Sequence, residues 1–165
     1  MRLRAECSTR DLSSAVHLDA TLQAGVDLAL TAYAHLSADA QYFVALYSFL
    51  VILADNNSVS QSVLEVYVSR GETSGNPILV WLAECLSTTH EYFNPYAAAA
   101  IVSATIGGLN SMALDASISR CPMALWSRSF VDYRRLQSGF PDAYAMFVFE
   151  KRRFPEVYGY VHILP

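Results

Sequence analysis

The chain has 165 residues, enough for one domain, or part of one, with a real core. Only 16% of its residues are charged and 53% are hydrophobic, so most of the chain expects to be buried, and part of that burial expects a partner segment. A net charge of −4 offers no basic field to nucleic acid, and Lys151-Arg152-Arg153 is too short to supply one.

In chain order, Met1-Arg2-Leu3-Arg4-Ala5-Glu6 carries charge with no apolar run behind it, which predicts no secretory signal. From Leu12 to Leu36, apolar residues at 22, 26, 29, 30 and 33 predict a helix with that stripe facing inward. Ser37 caps a second helix that runs through Tyr42 to Ala54 toward Asp55, with Asn56-Asn57 at its end. Gly71 and Gly75, around Glu72, Thr73 and Ser74, form a flexible loop, with no lysine to make it a phosphate cradle.

Asn76-Pro77 and Asn94-Pro95 each set a capping side chain before a proline whose missing N–H costs nothing in a first helical turn. Helices over Pro77 to Thr88 and Pro95 to Ser119 follow, the second with a kink expected at Gly107-Gly108. Cys121-Pro122 breaks the chain, Ser127 to Gln137 predicts a further helix stopped by Gly139, and a last helical stretch is expected from Pro141 to Glu150. No run alternates with period two, and no repeat or internal boundary appears, so residues 1–165 read as one all-α domain.

Membrane insertion needs separate weighing, because mean hydropathy is +0.26. Tyr42 to Ala54 is too short to span a bilayer; Pro95 to Leu114 is long enough and uncharged, but Ser103, Thr105, Gly107, Gly108, Asn110 and Ser111 suit a buried helix lining a cavity better than a lipid-facing one. Cys7, Cys85 and Cys121 lie far apart without metal-ligand spacing, as in a reduced cytoplasmic protein.

Two elements carry chemistry. Asp55 ends an apolar helix, with Val44, Ser48, Val51 and Ile52 on its face by three-and-four spacing, so an acid stands at the rim of an apolar wall. That suits a hard cation such as Mg²⁺, which takes oxygen ligands and shares them with phosphates and water. Asp55-Asn56-Asn57 reads equally as a polar helix terminus. About eighty positions later, Tyr133-Arg134-Arg135 offers guanidinium forks that match phosphate oxygens; adjacent helical residues diverge by about 100°, so one of the two arginines meets solvent or a carboxylate instead.

The order and spacing of these elements add a resemblance. From about Thr21 to Glu156 the chain resembles the N-terminal half of the fungal trichodiene synthase family, a branch of the class I terpenoid synthases. The likeness rests on the helix from Thr21 to Ala34, the apolar helix ending at Asp55, the segment Glu91-Tyr-Phe-Asn-Pro-Tyr96, the run Phe130-Val-Asp-Tyr-Arg-Arg-Leu-Gln-Ser-Gly139, and Phe154-Pro-Glu156. It implies an antiparallel helical bundle that uses Mg²⁺ to ionise and cyclise a prenyl diphosphate such as farnesyl diphosphate. By the same resemblance Asp55 is the metal-binding aspartate, supported by Asn56, and Arg134 contacts the substrate diphosphate, supported by Arg135. Tyr133, Val44, Ser48 and Val51 are then candidate substrate contacts. Tyr33, Phe43, Tyr47, Phe49, Tyr92, Phe93 and Tyr96 are candidate aromatics for a dry pocket that shields a carbocation, or ordinary core.

Two departures qualify it. Asn56, Asn57 and Ser58 follow Asp55 where the family usually has further acids, which lowers the charge offered to a divalent ion. The family's second metal motif, Asn or Asp followed at four-residue steps by Ser or Thr and by Glu or Asp, has no match: Asn56 has Ser60 but then Leu64, and Asn57 has Gln61. In the family it lies just beyond the segment Val161 to Pro165, so an incomplete bundle is expected, with self-association through its open apolar faces.

Other enzyme classes find less. His17, His35, His90 and His162 make no paired metal spacing, and no nucleophile elbow or dinucleotide fingerprint occurs. The alternatives that remain are a noncatalytic helical remnant or binding protein, and a small membrane protein built around Pro95 to Leu114.

Overall fold

The computed structural model describes residues 2–10, 12, 17–118 and 128–155, without the side chains of 57 and 58. Among them the chain is helical throughout, with no strand: α1 (Arg2–Thr9), α2 (Leu18–Ala32), α3 (Ala38–Leu53), a π turn (Ala54–Ser58), α4 (Gln61–Arg70), α5 (Pro77–Ser87), α6 (Thr89–Tyr92), α7 (Pro95–Ile118), α8 (Arg128–Gln137) and α9 (Phe140–Met146). The all-α reading holds.

The core is built around α3. Its residues Ala40, Phe43 to Val51 and Leu53 are all buried, because α2 and α5 flank it and aromatic side chains cover the rest. Phe43, Tyr47, Phe93 and Phe147 make edge and tilted ring contacts at 4.9–5.9 Å, a range in which ring quadrupoles attract. The candidate aromatics Tyr33, Phe43, Tyr47, Phe49 and Phe93 are therefore buried core, and Tyr96 is exposed.

Several helix starts follow local rules. Ser37 Oγ accepts from Ala40 N, Asn76 Oδ1 from Ile78 N and Leu79 N, and Asn94 Oδ1 from Ala97 N at 2.9 Å. Gly139 (φ 64) ends the α8 segment and starts α9.

Other expectations change. α1 was not foreseen; it docks through Leu3 and Cys7, with Arg2 lying 4.1 Å over the Tyr42 ring and Tyr42 donating to Glu6 at 2.6 Å. α4 also goes beyond the sequence reading, closed by Gly71 in the left-handed region. α2 runs from Leu18, residues 13–16 of the stretch expected from Leu12 lying outside the described residues; its fully buried positions are Thr21, Gly25 and Ala29, while Leu30 is exposed. Small residues face inward there because α2 lies against the backbone of α3: a methyl at Gly25 would stand 2.7 Å from Ala45 O.

α7 continues helically through Gly107 and Gly108, and Gly108 leaves space for the Phe140 ring. The last helix ends at Met146 rather than Glu150, since Phe147 and Phe149 turn into the core and Glu150 is buried. Glu150 accepts from Ser37 N at 3.1 Å and pairs with Phe93 in a lone bridge, while Lys151 N donates to Tyr92 O at 2.8 Å. Cys7 and Cys85 are buried free thiols; Cys121 lies outside the described residues.

Two helical runs, Ala38–Asn56 and Pro95–Ile118, are long and apolar enough to cross a membrane by length and composition. The first therefore exceeds the span read from Tyr42 to Ala54, and 67% of its window is buried by its own neighbours, as in a core helix.

Candidate functional site

Two apolar helices each end on an acid at one cleft. α3 gives way after Leu53 to the π turn, which opens on the buried Ala54 and the exposed Asp55. α7, uncharged from Pro95 to Leu114, presents Asp115 near its C-terminal end. Opposite stands α8, none of whose residues is buried, carrying Arg134 and Arg135 in its last turn.

Together with the start of α9 these elements enclose a cleft of about 540 Å³. Asp55, Asp115, Arg134 and Arg135 form its charged wall, Ser111 and Ser138 add hydroxyls, and Gly108, Met112, Val131, Phe140 and Pro141 supply apolar surface. A second cavity of about 270 Å³ shares Asp55, Met112 and Asp115 and extends to Gln61 and Leu64 of α4.

The charges are partly paired. Arg134 Nη2 donates to Asp115 Oδ2, bridging α8 to α7. That hydrogen bond raises the guanidinium pKa above its ordinary value; partial desolvation opposes it, and the charges of Asp115 and Asp55 add to it. Both side chains keep substantial exposure, 51% and 35%, so such a pair contributes at most about 1 kcal/mol. Arg135 has no side-chain partner among the described residues. Asp132 instead faces Arg128 at 4.0 Å, one turn back on α8.

Not every residue singled out from the sequence reaches this wall. Asn56 is exposed and lines neither cavity. Tyr133 is 53% exposed and also stands outside both. Val44, Ser48 and Val51 are buried in the core, away from the cleft. Three-and-four spacing assigned them to the face of Asp55, but from Phe43 to Val51 every residue of α3 is buried, so those positions face packed neighbours and only the acid beyond Leu53 reaches the cleft. The Ser48 hydroxyl has no partner in good hydrogen-bond geometry, although it lies near enough to the Tyr144 hydroxyl to temper the upward push that burial gives that phenol.

Asp115 and Phe140 escaped the sequence reading. The signal for Asp115 was present: like Asp55, it is the first charge after a long apolar helix. Phe140 had none, since its place depends on the absent side chain of Gly108 across the fold.

The donors suit a hard divalent cation. Two carboxylates share both cavities, and Gln61 Oε1 is buried without a partner while its Nε2 donates to Glu65 and Ser117. Carboxylate and amide oxygens are the ligands Mg²⁺ takes, usually alongside phosphate and water. Asp55, Asp115 and Gln61 are the residues that would hold it; no group of three or more His, Cys, Asp or Glu gathers among the described residues.

An all-α bundle whose helix ends bring carboxylates and guanidinium groups to one open cleft is the class of protein defined here. No family model matches the chain. Curated relatives do. Terpene synthase 29 of Postia placenta is 30% identical over 149 residues, covering 87% of this chain and 44% of that protein. Terpene synthase BipA of Cochliobolus sativus is 28% identical over 149 residues, covering 86% and 45%. Monoterpene synthase 25 of Postia placenta is 21% identical over 155 residues, covering 90% and 47%. These likenesses support a terpene-synthase relationship along most of this chain, which spans less than half the length of the relatives it matches.

Proposed function

We propose that this chain is the diphosphate-handling half of a terpene synthase, in which Asp55 holds Mg²⁺ and Arg134, with Arg135, holds the diphosphate of a prenyl substrate such as farnesyl diphosphate. The observation that carries this reading is that Asp55, Arg134 and Arg135 line one cleft although the first stands about eighty residues from the others. Relatives named terpene synthases support it. The narrower trichodiene-synthase branch belongs to the same proposal, carried by the motifs around Asp55 and Arg134.

In this mechanism the guanidinium of Arg134 binds phosphate oxygens as a fork, and Arg135 adds a second positive charge at the same wall. Mg²⁺, when bound, neutralises charge that grows on the departing diphosphate. Asp55 would hold the cation from the turn that follows the buried α3, and Met112, Val131 and Phe140 offer apolar surface to the isoprenoid chain.

Incubation of the purified protein with farnesyl diphosphate and Mg²⁺, followed by gas chromatography, tests the reading. The expected result is a metal-dependent terpene that Asp55→Ala abolishes. A second reading, a noncatalytic protein that binds diphosphate without turnover, is favoured by Asn56, Asn57 and Ser58 standing after Asp55, which offer a divalent ion less charge than further acids would. Folded protein that binds pyrophosphate with Mg²⁺ but makes no product would establish it.

A further inference from the structure

The cleft's charges balance before any ligand enters: Asp55 and Asp115 oppose Arg134 and Arg135. A diphosphate alone would overload this site with negative charge, and a divalent cation alone with positive charge. Both together restore the balance, provided that the groups already paired can change partners.

We propose that Asp115 is an exchangeable counter-ion: it holds Arg134 when no ligand is bound, yields the guanidinium to the phosphate oxygens of a diphosphate, and then offers its carboxylate to the divalent cation at Asp55. The inference rests on the diphosphate reading of the cleft given above.

Three observations support the exchange. The Asp115–Arg134 pair spans two helices with both side chains substantially exposed, so water screens it. A diphosphate carries more charge than a carboxylate and accepts the guanidinium fork at two oxygens, so it displaces Asp115 readily. Asp115 also lines both cavities, meeting Arg134 in one and sharing the other with Asp55 and Gln61. Gln61 also lines that second cavity, and its Oε1 is buried without a partner, an acceptor left to be satisfied beside the two carboxylates. Asp115 thus supplies the second carboxylate that Asn56 and Asn57 leave out of the stretch after Asp55.

Isothermal titration of the full chain with inorganic pyrophosphate, with and without Mg²⁺, tests this on the wild type, Asp115→Asn, Asp115→Glu and Arg134→Ala. Without Mg²⁺, Asp115→Asn binds pyrophosphate about three- to fivefold tighter than wild type, because Arg134 is released. With Mg²⁺ the wild type tightens strongly, Asp115→Asn loses most of that gain, and Asp115→Glu keeps it. The proposal is overturned if Asp115→Asn matches the wild type in both conditions, or if both Asp115 variants weaken binding alike, which marks a packing role. In either case loss of binding in Arg134→Ala leaves the diphosphate reading standing. Failure of the wild type to bind pyrophosphate in any condition removes both.

Discussion

Single side chains carry most of the chemistry, and their settings differ sharply. Asp55 and Asp115 stand at helix ends where water still reaches them, whereas the tyrosines of the core do not. Tyr33 is 6% exposed, donates its hydroxyl to Tyr144 O at 2.7 Å, and burial pushes its pKa up to about 12. Burial raises Tyr42 and Tyr47 further still. The folded state therefore keeps phenol protons that the unfolded chain releases near pH 10, so stability falls as pH rises from 10 toward 12. Urea midpoints across that window should show a loss on the order of 2 kcal/mol from Tyr33 alone. A flat profile would mean that its hydroxyl reaches water. At this scale the sequence was readable where a residue acts through its nearest neighbours. Asn76 and Asn94 cap the helices that their Asn-Pro pairs announced. The partner of Arg134 was not readable, because Asp115 meets it only through the crossing of α7 and α8.

The helices are unequal in what secures them. α3 buries every residue from Phe43 to Val51, whereas α8 buries none and leaves Leu136 79% exposed. α8 is therefore expected to open at a lower free energy than α3, and hydrogen exchange should show its amides exchanging first. Pyrophosphate with Mg²⁺ should slow that exchange selectively. The turn between α8 and α9 is less forgiving. Gly139 sits at φ 64, and a methyl there would collide with Ala104 O and stand 2.7 Å from Gly108 N. Gly139→Ala should cost about 2–4 kcal/mol in thermal or urea unfolding, combining backbone strain with a backbone clash. Gly25→Ala should push α2 off α3 at a cost of about 1–3 kcal/mol. The face of α2 was only partly readable for the same reason. The stripe read at 22, 26, 29, 30 and 33 holds at Ala29 and Tyr33, which are buried, and at Leu22 and Val26, which pack partly buried against the core; only Leu30 turns outward. Thr21 and Gly25 were added because close helix approach selects small residues, which a hydrophobic stripe does not report.

Across the whole molecule, distant segments are joined by few polar contacts with large reach. Glu150 is 4% exposed and ties its segment to the start of α3 through Ser37 N, while Asn94 Nδ2 donates to Phe154 O at 3.2 Å. Glu150→Ala would leave the partly buried Ser37 amide unpaired and should lower stability by about 1–2 kcal/mol, read as a drop in Tm. If the cleft depends on α9 being held in place, pyrophosphate affinity falls with it. The all-α architecture was legible from helical periodicity and capping. The depth of the cleft was not, because it depends on Gly108 accepting Phe140 and on two acids meeting from helices far apart in the chain.

The π turn after Leu53 bears on how this site can change over time. One extra residue per ring separates the buried length of α3 from the acid that follows it. A single-residue insertion or deletion between Leu53 and Asp55 would swing the acid by about 100°, while residues 40–53 keep their neighbours. The start of the turn therefore acts as a phase adjuster: lineages can retune the aim of the acid by a length change at Ala54, leaving the sequence of the core untouched.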